Sequence, residues 1–573
     1  MGRLRDDRGA ALIMVVLLGF VSIVLVGTGM TVAMSGLQQS VSSQRSASAL
    51  DAAFAGVQDY VARLNADDSY VKYGNPLSQF TISSGSAATV TPDPTNWALD
   101  VSATGAQNRW APVPGSDGVA KYRYEVDNST YKVTGIVRLR TTGVSGGRTR
   151  SLVTSLRVRG FVDYSYFTDY EIGDPQMTGA PKSCEKHVWE GRPVDCGSTS
   201  TNRIPDPYFG PDDAVSGDAH SNDQMIICAA TFIGNITTAY SGSPLYSTRN
   251  CPRTKAITNI THADPLPMPS TNDSMQTDAA CVYTGPTQIT YNANGTMTVV
   301  SPWSTGGVGD AATCGAPGQL GQPSGATVPQ LDQNLLYVQN VPPTVTQLPV
   351  GLRCIDVNGA TTNATDGIGW SLTQGGSTIR YPLVGEAPAT TKFAVIDPQW
   401  NAALPAYGCR NGDLYVKGTI TTQTTAASQN YVYVIGNTVY KDQSTDVLGL
   451  VGQNGVLVWN PMSKGADAPM LAGQDREIDA AIVSVAHTFM VQNYDRGTAI
   501  RGTLTVFGSI AQKFRGSVHA SDPDTGYNKA YVYDSLLKTV SPPKFLASTA
   551  TSFTVTRYAG VSAAYQPSGA PLP

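Results

Sequence analysis

Between Arg8 and Arg45 the chain carries no Asp, Glu, Lys or Arg. A short charged leader (Arg3, Arg5, Asp6, Asp7, Arg8) ends at Gly9, and an apolar run opens at Ala10. Ala10 to Met34 matches the roughly 20 apolar residues a helix needs to cross a bilayer core. Ala10, Met14, Phe20 and Met34 fall within this predicted transmembrane helix. Lys and Arg cluster on its N-terminal side, which predicts Met1 in the cytoplasm and the bulk of the chain outside. The pattern does not stop at the span. Over Ser40 to Leu64, Leu50, Ala53, Phe54, Val57, Val61 and Leu64 recur at helical spacing, and Gln58, Asp59 and Arg63 take the other faces. The expectation is one long helix over 10–64, apolar first and amphipathic after. Two other readings stay open: a plain single-pass anchor, and a secretory signal cleaved after Ser35.

The stretch from Arg8 to Leu64 resembles type IV prepilins, and more closely the PilX-type minor pilins. That resemblance implies cleavage by a prepilin peptidase between Gly9 and Ala10, with 1–9 as leader. The apolar half then stays in the mature chain and packs among other pilin subunits, delivered by inner membrane pilus-assembly machinery. Met14 stands where the family usually carries a glutamate that pairs with a neighbour's new amino terminus. Leaving that ammonium unpaired among apolar helices costs several kcal/mol. The resemblance therefore implies a tip or initiating subunit, in a role of assembly priming and adhesion, rather than a repeating one. The surface or glycan ligand is not specified.

A length of 573 residues predicts about three or four domains. With a net charge of -4, 14% charged residues and no basic stripe, nucleic acid is not an expected partner. Abundant Gly, Pro, Ser and Thr favour strands and loops after residue 65. Eight cysteines (Cys184, Cys196, Cys228, Cys251, Cys281, Cys314, Cys354, Cys409) form an even set without CxxC, which reads as disulfides in an exported region. Spacing does not fix the connectivity; sequential pairing is one arrangement, and only 184–196 has a short loop to recommend it.

Residues 65–172 read as a small α+β head: strands near Lys121–Val126, Thr130–Arg140 and Arg150–Gly160, with a glycine hairpin at 141–147. A long helix on an antiparallel sheet is also what the pilin resemblance implies. Phe161 to Glu171 is aromatic and acidic, either a binding strip (Tyr164, Tyr166, Phe167, Tyr170) or packing. Short apolar strands broken by glycine then recur at 224–237, 414–421, 431–439, 456–459 and 504–510. They predict a mainly β domain, a right-handed β-solenoid in which each coil buries its inner residues on the next. A β-sandwich is the alternative. The corresponding segments are 173–239 (cysteine-bearing loop and first coils), 240–400 (loop-rich, disulfide-pinned insertion), 401–546 (solenoid) and 547–573 (tail). Phrases within Asp446–Leu546 resemble the C-terminal region of large pilus-associated surface proteins of Gram-positive bacteria with high-GC genomes. Past Leu546 there is no sorting signal and no second span.

Enzymatic signatures are sparse. Gly143-Val144-Ser145-Gly146-Gly147 matches GxSxG, but between two strands rather than at a strand-to-helix turn. Neither HExxH nor a P-loop occurs. His220 reads as a turn histidine and His487 as a core one. Asp475, Glu477 and Asp479, with Asp495, Arg476 and Arg496, are candidates for a carbohydrate-active site, although the acids read as facing solvent. Asp522-Pro523-Asp524-Thr525-Gly526 resembles the opening of a calcium loop without its remaining ligands. The expectation is a non-enzymatic, cofactor-free surface protein. A membrane-tethered, extracellular β-helix carbohydrate-active enzyme is the alternative.

Overall fold

In the computed structural model one helix, α1, runs unbroken over Arg8–Ala66, 59 residues, or about 90 Å at 1.5 Å per residue. The structure describes residues 8–101, 108–158, 160–178, 182–193, 196, 198–199, 202–203, 207–356, 358–386, 406–466, 468–471, 475–521, 524–546 and 553–572. The leader residues 1–7 lie outside this set. The chain divides into two compact units. The smaller holds Met1–Thr130, Ile136–Arg157 and Phe553–Pro573; the larger holds Tyr131–Gly135 and Val158–Ser552.

The smaller unit lays the second half of α1 on a five-stranded sheet. Its strands β1 (Ala111–Pro112), β2 (Ala120–Asp127), β3 (Val137–Ser145) and β4 (Arg148–Val158) pair antiparallel in order. The buried stripe of α1 is Ala49, Ala52, Ala53, Val57, Tyr60 and Leu64. This is rotated from the expected one: Leu50 and Val61 are only half-buried and Phe54 is exposed. The reason is close approach. A Cβ on Gly143 of β3 would lie 2.1 Å from the Ala49 carbonyl oxygen and 2.4 Å from the Ala53 nitrogen, and one on Gly56 would meet Thr141 at 2.5 Å. Small residues on both surfaces let backbone meet backbone, so size outranks hydrophobicity in choosing the face. Gly146 and Gly147 turn β3 into β4 with φ of 54° and 77°, so the GxSxG match is a hairpin, as its strand context predicted.

The fifth strand corrects the expected tail. Phe553–Val561 follows β4 in the sheet order. Thr154 donates to the Arg557 carbonyl at 2.7 Å, and Thr556 to that of Ser155 at 3.2 Å. Arg123 then fixes the end of the chain. Its guanidinium pairs with Asp100 at 2.8 Å, donates to the Gly569 carbonyl at 3.0 Å and lies 3.6 Å from the Tyr565 ring centroid. In chain order the main segment of the larger unit, Val158–Ser552, thus sits between two adjacent strands of the smaller one.

The larger unit is mostly β, and its extended ladders are parallel. One register column reads Ile260, Ile236, Ala219, Tyr166, Ile510, Ile482, Leu450, Ala426, Leu336, Cys281. A second runs Ile289, Val416, Val434, Val458, Val491. Most of these side chains belong to one continuous buried core. The order along the column is not the order along the chain. The chain enters in mid-stack at Tyr166–Tyr170, builds outward to Ile260–His262, resumes at the opposite end with Cys281–Thr284, and returns until Ile500–Phe514 pairs with the entry strand.

Two further boundaries shift. Residues 281–291 and 334–339, expected inside the insertion, are strands of the stack. The material outside it is narrower: the antiparallel strands Thr296–Val300 and Ala326–Pro329, and a four-stranded antiparallel sheet within 352–381. That small sheet contributes Trp370 and Tyr381 to a buried aromatic cluster with Tyr407, Tyr415, Tyr433 and Trp459. The eight cysteines form Cys184–Cys196, Cys228–Cys251, Cys281–Cys314 and Cys354–Cys409.

Candidate functional site

The first half of α1 has no partner among the described residues. From Leu12 to Ser40 every side chain is exposed, Met14, Phe20 and Met34 included. Within its apolar run the hydroxyls of Ser22, Thr28, Thr31 and Ser35 bond back to the helix. Ser22 donates to the Leu18 carbonyl at 2.7 Å, Thr28 to Val24 at 2.9 Å, Thr31 to Thr28 at 2.8 Å and Ser35 to Val32 at 2.8 Å. A helix that closes its own hydrogen bonds can sit in hydrocarbon or against other apolar helices at little polar cost. Gly19, Gly27, Gly29 and Gly36 have open space where a Cβ would stand, and such positions allow close helix approach. Gly9 and Ala10 lie in the helical backbone as the second and third residues of the described chain.

The acidic candidates do not form one exposed face. Asp475 accepts the Thr503 N–H at 2.8 Å from outside the strand Arg476–Ser484, on which Glu477 is exposed. Asp479 is 1% exposed, contrary to the solvent-facing expectation, and accepts the Tyr440 N–H at 2.9 Å. Burial pushes its carboxyl up to about 6, assisted by Glu477 and by Asp534, itself buried and raised. Tyr440 and, from the turn after it, the Gln443 side chain hydrogen-bond to Asp479, contacts that strand alternation does not reveal. Asp495 and Arg496 lie in the turn after Thr488–Val491. In the calcium-like loop, residues 522–523 lie outside the described set and Asp524 pairs with His519 at 2.7 Å. Among the described residues no group of three or more His, Cys, Asp or Glu is arranged to hold a metal.

His220 is in a strand rather than a turn: Nδ1 contacts Thr237 Oγ1 at 2.8 Å and Nε2 contacts Asn222 Oδ1 at 3.0 Å. His487 contacts Asp174 at 2.5 Å. The aromatic strip resolves into packing at three positions, since Tyr164, Tyr166 and Phe167 are buried. Only Tyr170 reaches a polar cluster that sequence reading missed. There His187 sits between Asp169 (3.0 Å) and Glu190 (2.9 Å). Burial lowers its proton affinity, but the two carboxylates and Asp223 outweigh that and leave it raised. The one local signal is a His-x-Trp-Glu sequence between two cysteines separated by 12 in sequence.

No family model and no curated protein matches the chain. Among solved structures it is similar to the competence-associated pilin ComZ from Thermus thermophilus, at 13% identity, over 90% of this chain and 97% of that one, with a TM-score of 0.27. A score that low carries no argument about the fold, and the functional reading rests on the residues themselves.

Proposed function

We propose that the chain is a minor pilin-like surface protein of a type IV pilus or related filament. One observation carries this reading. A single unbroken helix is bare and apolar over its first half and packed on an antiparallel sheet over its second. An ordinary anchor needs no rigid continuation into a folded head, whereas a subunit that must hold its head at a fixed position on a filament does. In this reading prepilin peptidase cuts between Gly9 and Ala10. Residues 10–34 cross the membrane with the N-terminus cytoplasmic before assembly, and afterwards pack among other pilin helices. Met14 supplies no carboxylate for a neighbour's amino terminus, which favours a tip or priming position.

We read the larger unit as a right-handed β-solenoid that carries its loops to a surface ligand. The parallel columns support that reading over a β-sandwich, whose strands pair antiparallel, and nearly all parallel crossovers are right-handed. Adhesion is favoured over catalysis because Asp479, one of the candidate catalytic acids, is buried and hydrogen-bonded to backbone. No cofactor is needed for this role. Shearing filaments from native cells and probing the fibre fraction with antibody to the larger unit tests the reading. The protein should co-purify with fibres in small amount and stay in the membrane when fibre assembly is blocked. Its absence from fibres that assemble normally would overturn it.

A further inference from the structure

The cysteine loop 184–196 presents a built aromatic platform. Trp189 stacks on His187 with ring centroids 4.8 Å apart and 3° between planes. His187 stacks on Tyr170 at 4.3 Å, and Tyr170 on Phe514 at 5.2 Å. The Lys513 ammonium lies 5.1 Å from the Phe514 ring centroid. At the other terminus Trp189 remains 47% exposed. Nothing in this column is loose. The indole N–H donates to the Asn222 carbonyl at 3.1 Å, which fixes the ring. Both nitrogens of His187 are engaged, the Val188 N–H donates to Asp223 at 2.9 Å, and Cys184–Cys196 closes the loop. An indole that exposed, held this rigidly, binds a flat ligand without paying to order itself.

We propose that the outer face of Trp189 is a binding platform for a pyranose ring of a neutral glycan. The C–H face of a pyranose covers an indole as an apolar surface, while its equatorial hydroxyls need polar partners at the rim. Glu190 offers one. Its Oε2 is taken by the His187 N–H at 2.8 Å and by the His187 ring, leaving Oε1, on a side chain 40% exposed, to accept from a hydroxyl. The surroundings argue against the other flat ligands. Arg192 and Lys513 are already paired with Asp223 and Glu185, so the phosphates of a nucleic acid meet few uncommitted cations here beside the carboxylates of Asp169 and Glu190. A cation is disfavoured when His187, held between two carboxylates, is protonated, since its charge then lies under the same ring.

This deepens the adhesion part of the proposed function and rests on it, yet the two fail separately. The test uses the full chain in a zwitterionic, sugar-free detergent, with cellohexaose and chitohexaose as neutral probes and dT20 and tetramethylammonium as competing classes. At least one hexasaccharide should bind, and Trp189→Ala should weaken it about tenfold or more, on the scale of losing one stacking partner. Trp97→Ala, at an exposed indole covered by Arg109 in the smaller unit, should leave binding unchanged. On the unmodified chain, saturating saccharide should protect Trp189 but not Trp97 from N-bromosuccinimide, read by peptide mass, so the result does not hang on the variant folding. Binding of neither hexasaccharide, binding indifferent to Trp189→Ala, or protection of Trp189 only by dT20 or tetramethylammonium overturns the proposal. Saccharide binding by a protein absent from fibres would retire the pilin reading and keep the platform; fibre incorporation without saccharide binding would do the reverse.

Discussion

If the C-terminal segment is structurally part of the smaller unit, Arg123 and Tyr565 must be energetically coupled across more than 400 residues of chain. Both are buried, at 5% and 4% exposure, and the guanidinium carbon is 3.6 Å from the ring centroid. A desolvated cation–π contact of this kind is worth about 2 kcal/mol. Arg123→Met also strands Asp100, whose partner it is at 2.8 Å, and removing one member of a buried pair costs about 3–5 kcal/mol. For a unit of this size that amounts to a fall of roughly 10 °C or more in midpoint. Tyr565→Leu alone should cost about 2 kcal/mol, because it removes the ring but keeps an apolar filler. The double variant isolates the contact: the two costs should fall short of additivity by about 1–2 kcal/mol. Urea unfolding, followed by hydrogen exchange in peptides from β2 and β4, reports on this unit specifically. Coupling below about 0.3 kcal/mol, the scatter of independent sites, would mean that Tyr565 does not seat on Arg123 and that the five-stranded sheet is wrong.

Glu386 is buried, and burial pushes its carboxyl up to about 7 from an ordinary value of 4.5. The folded state therefore holds more protons than the unfolded one between those values, and stability falls as pH rises through that window. The loss is about 3 kcal/mol from this group, complete above neutrality; Asp413 and Asp479, raised to about 8 and 6, add slopes of the same sign. Glu386→Gln should be more stable than the parent at pH 8 and near parity at pH 5 by urea unfolding; an unchanged difference across that range refutes the burial. Gly143→Ala should cost at least about 1–3 kcal/mol by overpacking α1, whereas Gly19→Ala, in open space, should leave thermal unfolding of the head unchanged. Peptide mapping without reductant should recover the four sequential linkages. Removing Cys354–Cys409, with a separation of 55 residues, should cost about 4 kcal/mol, against about 3 for Cys184–Cys196 with its separation of 12.

Local patterns carried the reading where partners are close in sequence. The charge-free run, the amphipathic continuation and the β3–β4 hairpin were all legible because each is decided within a few turns or a few residues. The helix face was legible only in part: Ala53, Val57 and Leu64 belong to the periodic set and are buried, but Ala49 and Ala52 are buried by backbone approach to Gly143 and Gly56 by Thr141 and Tyr122, where periodicity picks Leu50 and Phe54 instead. Phe553–Val561 alternates Val, Thr and Tyr as a strand should, yet nothing local says that its neighbour is β4. The same holds for Tyr166 and Ile510, which share a register column although stacking order predicts adjacent coils from adjacent sequence. Asp479 reads differently in the sequence because alternation assigns a face of a strand, not the partners that Tyr440 and Gln443 bring to it from another strand and its turn. Trp189 escapes a local reading for a similar reason: its setting depends on Tyr170, at the end of the strand Tyr166–Tyr170, and on Asn222, in the bend after Ala219–Ser221.

The amino terminus of the native protein, sequenced from the sheared fibre fraction, tests the central claim most directly. The account predicts a chain beginning at Ala10, with the apolar half of α1 retained and in the fibre. A chain beginning at Gly36, released without that half, would contradict it.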